Sequence, residues 1–110
     1  ISIVDRYLEH ARAYVFHAQG RQVLYLASAD LMERNLDRRV EVAFPLRDPE
    51  VKAEVLRMLD LQWADTMKAR VIDAQQENRY RQAPRGTKAV RAQEAFRAWL
   101  ATADRARGRR

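Results

Sequence analysis

The chain has 110 residues, 47% apolar and 33% charged, with 21 Lys and Arg against 15 Asp and Glu and a formal net charge of +6. One domain is the expectation for that length, and the apolar share excludes wholesale disorder. The absence of cysteine excludes a disulfide framework and a thiolate metal site, and no apolar run is long enough to span a membrane.

In chain order, Ile1, Ile3, Val4, Tyr7 and Leu8 recur at helical spacing, which predicts a short opening helix. Ala11–Phe16 and Val23–Ala27 are apolar on both faces and read as buried strands, with a turn at Gln19-Gly20-Arg21 between them. A short helical segment follows over Ala29–Leu36. Val40, Val42 and Phe44 then alternate with Arg39, Glu41 and Ala43, the pattern of a strand with one apolar and one polar face. Asp48-Pro49-Glu50 supplies a cap, a first-turn proline and an acid at the positive end of the dipole. Val51, Val55, Met58, Leu59 and Trp63 line one face of the helix it opens. Ala69–Ile72 is a strand candidate, Arg79–Lys88 a loop, and Ala89–Ala103 a final helix packed through Val90, Phe96, Trp99 and Leu100.

Residues 104–110 carry four arginines against Asp104, and the net charge falls from +6 to +3 without them. They read as a basic, flexible tail on a domain of residues 1–103. The remaining excess favours an anionic partner: phosphate, nucleotide or nucleic acid. The opening I-S-I-V-D-R is neither a signal peptide nor a start methionine, so a longer parent chain is expected.

The densest polar region runs from Arg34 to Val42, R-N-L-D-R-R-V-E-V. It sets cations, an amide and carboxylates among short apolar runs, a composition suited to a polyanionic phosphate. Ser28 and Asp30 have a plain alternative as caps of the segment that follows, although a helix start also attracts anions. Arg39 and Glu41 share a strand face if the period is two. They then form either a surface ion pair or a phosphate-facing pair in which the arginine fork grips two oxygens. His10 is either a helix-end histidine or a proton-transfer group, since an unperturbed imidazole titrates near neutrality. His17 reads as a surface residue. Gly86-Thr87-Lys88 lacks the upstream glycine of a P-loop. Trp63, Trp99 and the methionines read as core, and no spacing here specifies a metal site made by protein alone.

The blocks I-S-I-V-D-R-Y-L-E-H, Y-L-A-S-A-D-L-M-E-R-N-L-D-R-R-V-E-V, K-A-R at Lys68–Arg70, N-R-Y-R at Asn78–Arg81 and V-R-A-Q at Val90–Gln93 resemble, in order, the C-terminal catalytic domain of bacterial polyphosphate kinase. The resemblance implies an α/β (α+β) fold, a mixed sheet flanked by helices like one half of a phospholipase D. It implies reversible transfer of the ATP γ-phosphate to inorganic polyphosphate, with ATP or ADP and polyphosphate as partners and Mg2+ accompanying ATP. It makes His10 a catalytic acid/base, Glu41 a second catalytic residue, and Arg39, Arg34, Asn35, Ser28 and Asp30 the phosphate- and ATP-binding set. The phosphorylated histidine belongs to preceding domains of the same polypeptide, so the isolated chain is expected to be inactive. A homo-oligomeric full enzyme, cytoplasmic or peripheral to the inner membrane, is implied as well. The alternatives are a basic nucleic-acid-binding module and a phospholipase D-type phosphodiesterase. The first is opposed by Asp37 and Glu41 among the arginines. The second is opposed by the failed His-x-Lys-x4-Asp signature, because Arg12 and His17 follow His10.

Overall fold

The tightest local signal in the chain is a two-residue hairpin. Gln19 and Gly20 both adopt positive φ, 50° and 76°, the geometry whose twist matches that of the strands it joins. In the computed structural model, which describes residues 1–108, they connect strand β2 (Ala13–Ala18) to strand β3 (Arg21–Ala27). β3 also pairs with β4 (Ala43–Pro45), giving an antiparallel sheet in the order β2-β3-β4. Pro45 has no N–H to donate, and it sits on an edge strand where none is needed. A second antiparallel pair joins β1 (Ser2–Ile3) to β5 (Ala69–Arg70). The helices are α1 (Glu33–Leu36), α2 (Pro49–Ala64) and α3 (Ala92–Ala106). The α/β class thus stands, with its strands in two sheets.

The chain divides into two compact units. One is formed by residues 9–55, and the other by residues 1–8 with the chain from Leu56 onward. α2 contributes its first turns to one and its remainder to the other. Its start follows the expected chemistry: Asp48 Oδ1 accepts the N–H groups of Glu50 at 2.9 Å and Val51 at 3.1 Å, with Pro49 in the first turn.

Within the unit containing the termini, one carboxylate does most of the organising. Asp65 is fully buried. Its Oδ1 accepts the N–H groups of Met67, Lys68 and Ala69 at 3.0, 2.7 and 2.8 Å, and its Oδ2 accepts that of Ala92 at 2.7 Å. It therefore closes the turn after α2, steers the chain into β5 and caps α3. Arg91, at the N-cap of α3, makes no side-chain cap of its own. Two further links tie the N-terminal segment to this frame. Arg91 pairs bidentately with Asp5 at 2.7 and 2.9 Å, and Tyr7 exchanges backbone bonds with the Gln93 amide at 3.0 and 2.7 Å.

Several expectations are corrected. Residues 1–8 form no helix: β1 pairs with β5, and the segment beyond is held by the Asp5 and Tyr7 contacts instead of its own periodicity. The strand expected around Val40 begins only at Ala43, and Val40 is 100% exposed. β2 and β3 form with boundaries shifted, but Phe16 and Val23 stay exposed, so these strands are not buried on both faces. Strand pairing after α2 stops at Arg70 instead of Ile72. Trp63 is 66% exposed, with the Arg81 guanidinium 5.8 Å from its ring centre, and Leu61 is the buried residue of α2. Met32 and Met67 are exposed too. α3 starts three residues late, where Asp65 caps it, and reaches Ala106. Gly108 then takes a positive φ of 68° and donates its N–H to the Arg105 carbonyl at 3.1 Å. Residues 104–106 are helical, while Arg109 and Arg110, the end of the expected basic tail, lie outside the described residues. No helix among the described residues is long and apolar enough to cross a membrane.

Two measurements test this frame. Asp65→Ala leaves four backbone donors without their acceptor, so urea denaturation is expected to show a loss of at least about 3 kcal/mol. The second concerns pH. The hydrogen bond from Arg91 holds the Asp5 carboxyl below the usual carboxylate range, against the opposing effect of burial. A folded-state pKa below the unfolded one stabilises above the unfolded value of about 3.9 and is lost as pH falls through the folded value. Asp5→Asn should therefore melt below wild type at pH 7, and the gap should close as melts are repeated toward about pH 2.5.

Candidate functional site

Antiparallel pairing brings the start of β2, the end of β3 and the start of β4 to one end of their sheet, with Ala13 opposite Leu26 and Ala27 opposite Ala43. The chain segments leaving that end are where the candidate residues lie. His10 precedes β2, Ser28 and Asp30 follow β3, Arg34 and Asn35 belong to α1, and Arg39 and Glu41 precede β4. The sheet thus gathers residues that the sequence spreads over more than thirty positions.

Ser28 binds this end together. Its hydroxyl donates to Glu41 Oε2 in a short hydrogen bond and accepts the Val42 N–H at 3.0 Å, while its own N–H donates to the Val42 carbonyl at 2.9 Å. Beside it, Tyr14 donates from its hydroxyl to the carbonyl of buried Ala29 at 3.1 Å.

Asp30 is the electrostatic centre. Arg12 donates from Nε to its Oδ1 at 2.7 Å. That bond, with the charges of Arg12, Arg34 and His10, holds the Asp30 carboxyl below the usual range, although burial opposes it. The Arg12 guanidinium is raised correspondingly, first by Asp30, with Glu41 and Tyr14 adding smaller effects, while burial opposes. His10, Arg12, Asp30, Arg34 and Glu41 therefore share one electrostatic neighbourhood.

Neither Ser28 nor Asp30 caps α1. The N-cap position is Met32, which makes no side-chain bond, and the helix is only four residues long, shorter than the expected Ala29–Leu36. Asn35 is 4% exposed, and its Nδ2 has no hydrogen-bond partner. Arg39 and Glu41 do not share a strand face, since β4 begins after them, and they form no ion pair among the described residues. Glu41 is turned to Ser28 instead, and Arg39 lies exposed. Arg38, which the sequence reading passed over, pairs with Glu33 at 3.5 Å. Arg12 was missed as well. The only signal for it was an arginine two positions after His10, within a signature that was not met.

The arrangement is an α/β scaffold on which Arg12 is bonded to Asp30, with Arg34 and His10 adding to the field at that carboxylate. The family model described as "Polyphosphate kinase C-terminal domain 2" matches residues 1–93, and the chain belongs to that family. It is 55% identical over 97 residues to the polyphosphate kinase of Escherichia coli (strain K12), covering 87% of this chain and 14% of that protein. To the Yersinia pestis polyphosphate kinase it is 52% identical over 100 residues, covering 90% and 14%. The crystal structure of polyphosphate kinase from Porphyromonas gingivalis superimposes with a TM-score of 0.89 at 38% identity, over 94% of this chain and 16% of that one. The chain thus spans about one seventh of the length of the relatives it matches.

Ser28→Ala removes a donor from Glu41 and an acceptor from the Val42 N–H. Both groups lie near water, so thermal or urea unfolding is expected to register a loss of about 1 kcal/mol.

Proposed function

We propose that this chain is one part of a phosphotransferase that moves the ATP γ-phosphate reversibly to inorganic polyphosphate, through a phosphohistidine carried by preceding domains of the same polypeptide. What carries this reading is that Arg12 is bonded to Asp30 at the end of the sheet where His10, Arg34, Asn35, Arg39 and Glu41 also lie, in a chain of the polyphosphate kinase family. Phosphoryl transfer asks little covalent chemistry of the protein and much positioning and charge stabilisation, which suits such a cluster. The reading implies a cytoplasmic setting, where ATP is available.

In the forward half-reaction an imidazole nitrogen of the absent domain attacks the γ-phosphorus in line, and the bond to the ADP oxygen breaks. Negative charge grows on that oxygen. His10, protonated, donates to it and recovers the proton in the reverse direction. Arg34, Asn35 and Arg39 stabilise the phosphoryl oxygens. The unpartnered Asn35 Nδ2 supports this assignment, since a buried donor without an acceptor is costly. Ser28 and Asp30 hold the surrounding loops in place. Magnesium arrives as part of the nucleotide substrate, coordinated chiefly by phosphate oxygens and water. Among the described residues no group of three or more His, Asp or Glu side chains is placed to hold a metal; Glu41, bonded only to the Ser28 hydroxyl, is the carboxylate this reading would have the chain lend it.

The test is made in the full-length protein. His10→Gln should slow single-turnover formation of phosphoenzyme by about 10²–10⁴-fold while ATP still binds. A wild-type rate in the variant removes His10 from that step. Arg39 is exposed and makes no ion pair among the described residues. Arg39→Lys, which loses the planar fork, should therefore cost on the order of 10²-fold in turnover with an unchanged melting temperature. Near-normal turnover with a lowered melting temperature returns Arg39 to a purely structural role. Competition between long polyphosphate and an oligonucleotide, at equal phosphate and fixed salt, separates this function from a nucleic-acid module. The oligonucleotide winning would favour the latter.

A further inference from the structure

Four arginines stand at the candidate end of the sheet, and they are not equally prepared to bind. Arg34 and Arg39 are exposed, and Arg38 is spent on Glu33. Arg12 differs on three counts. Its backbone is tied down, because the Arg12 carbonyl accepts the Ala27 N–H at 2.9 Å and so extends the pairing of β2 with β3. Its side chain is anchored, because Nε donates to Asp30 Oδ1 at 2.7 Å. It remains accessible, with the side chain 30% exposed, and Nη1 and Nη2 take no protein partner among the described residues.

A guanidinium bound through Nε on one side still has its two terminal nitrogens free. That end offers parallel N–H groups spaced to meet two oxygens of one phosphoryl group. An arginine already fixed at backbone and Nε loses less freedom on binding than one that must be ordered by the ligand. We propose that Arg12 is a phosphate-binding residue of this site, anchored by Asp30 so that its Nη1/Nη2 end engages two oxygens of a phosphoryl group in the ATP or polyphosphate chain. Asp30 is then a positioning residue that acts through Arg12. This inference rests on the phosphotransferase reading and adds to it a residue and a division of labour. The ion pair alone could serve only to hold the loop after β3, so the test has to separate that role from ligand binding.

The experiment uses the full-length protein with Arg12→Lys, Arg12→Ala, Asp30→Asn and the Arg12→Ala/Asp30→Asn double variant. Values of kcat and KM are measured separately against ATP and against polyphosphate, which shows which phosphate chain Arg12 meets, and melting curves are recorded alongside. Arg12→Lys keeps the charge beside Asp30 and loses the fork, so kcat/KM should fall by at least about tenfold with an unchanged melting temperature. Arg12→Ala should lose about 10²-fold, and millimolar guanidinium ion should restore part of it. Asp30→Asn should lose about threefold to tenfold in wild type and nothing further when Arg12 is already alanine. If Arg12→Ala melts early, Arg12→Lys decides. Arg12→Lys within twofold of an active wild type for both substrates overturns this inference alone, as does an Asp30→Asn effect that persists undiminished in the alanine background. A wild type with no turnover of polyphosphate overturns the proposed function, and this inference with it.

Discussion

The buried carboxylate of Asp65 is the constraint on which one unit of the chain depends. A buried charge is tolerated only when it is fully hydrogen-bonded, and Asp65 meets that condition with four backbone N–H groups drawn from two places, 67–69 and 92. Ala92 follows Arg91 directly, so capping α3 also sets the position from which Arg91 reaches Asp5. Gln93 comes next and takes up the backbone of Tyr7. Three successive residues thus carry three separate ties, and the segment after β1 is held by contacts to the start of α3.

Hydrophobic burial plays a smaller part than the composition suggests. Among the described residues the buried apolar side chains are Leu24, Ala29, Leu61, Ala69 and Ala92, three of them alanines. Phe16, Val23 and Phe44 stay exposed on the three-stranded sheet. Alanine buries little area, so the transfer free energy available from such a core is modest. Polar ties take over much of the positioning: Asp65 and Asp5 in one unit, Ser28 and Asp30 in the other. This bears on chemistry, because charged side chains held by hydrogen bonds keep a defined geometry at a surface where apolar packing cannot hold them.

The two carboxylates of the candidate end have different partners. Glu41 is held by a neutral hydroxyl, while Asp30 is held by the Arg12 cation, with Arg34 adding to the field at its carboxyl. A neighbouring cation favours the ionised carboxylate. Asp30 is therefore fixed as an anion around which cations collect, and Glu41 keeps capacity for another partner.

Where the information was local, the residues alone determined the outcome. Asp48-Pro49-Glu50 opened α2 because a cap, a proline and an acid act within one turn. Gln19-Gly20 made the hairpin because two positive φ angles suffice. The ordered blocks identified the family, since sequence identity needs no geometry, and they contained His10, Asp30, Arg34, Asn35, Arg39 and Glu41. What the residues could not determine were partnerships at long separation. Asp5 and Arg91 lie 86 positions apart, Asp65 and Ala92 are 27 apart, and Arg12 and Asp30 are 18 apart. Periodicity predicted a helix over residues 1–8 and a strand through Val40, and both failed because tertiary bonding outweighs an apolar pattern that has no core to face. The tertiary structure alone decided that Ser28 would hold Glu41, that Arg39 would stand apart from it, and that Arg12 would be the arginine fixed on Asp30. The reason is that a hydrogen bond depends on where two chain segments meet, and one-dimensional spacing carries no record of that meeting.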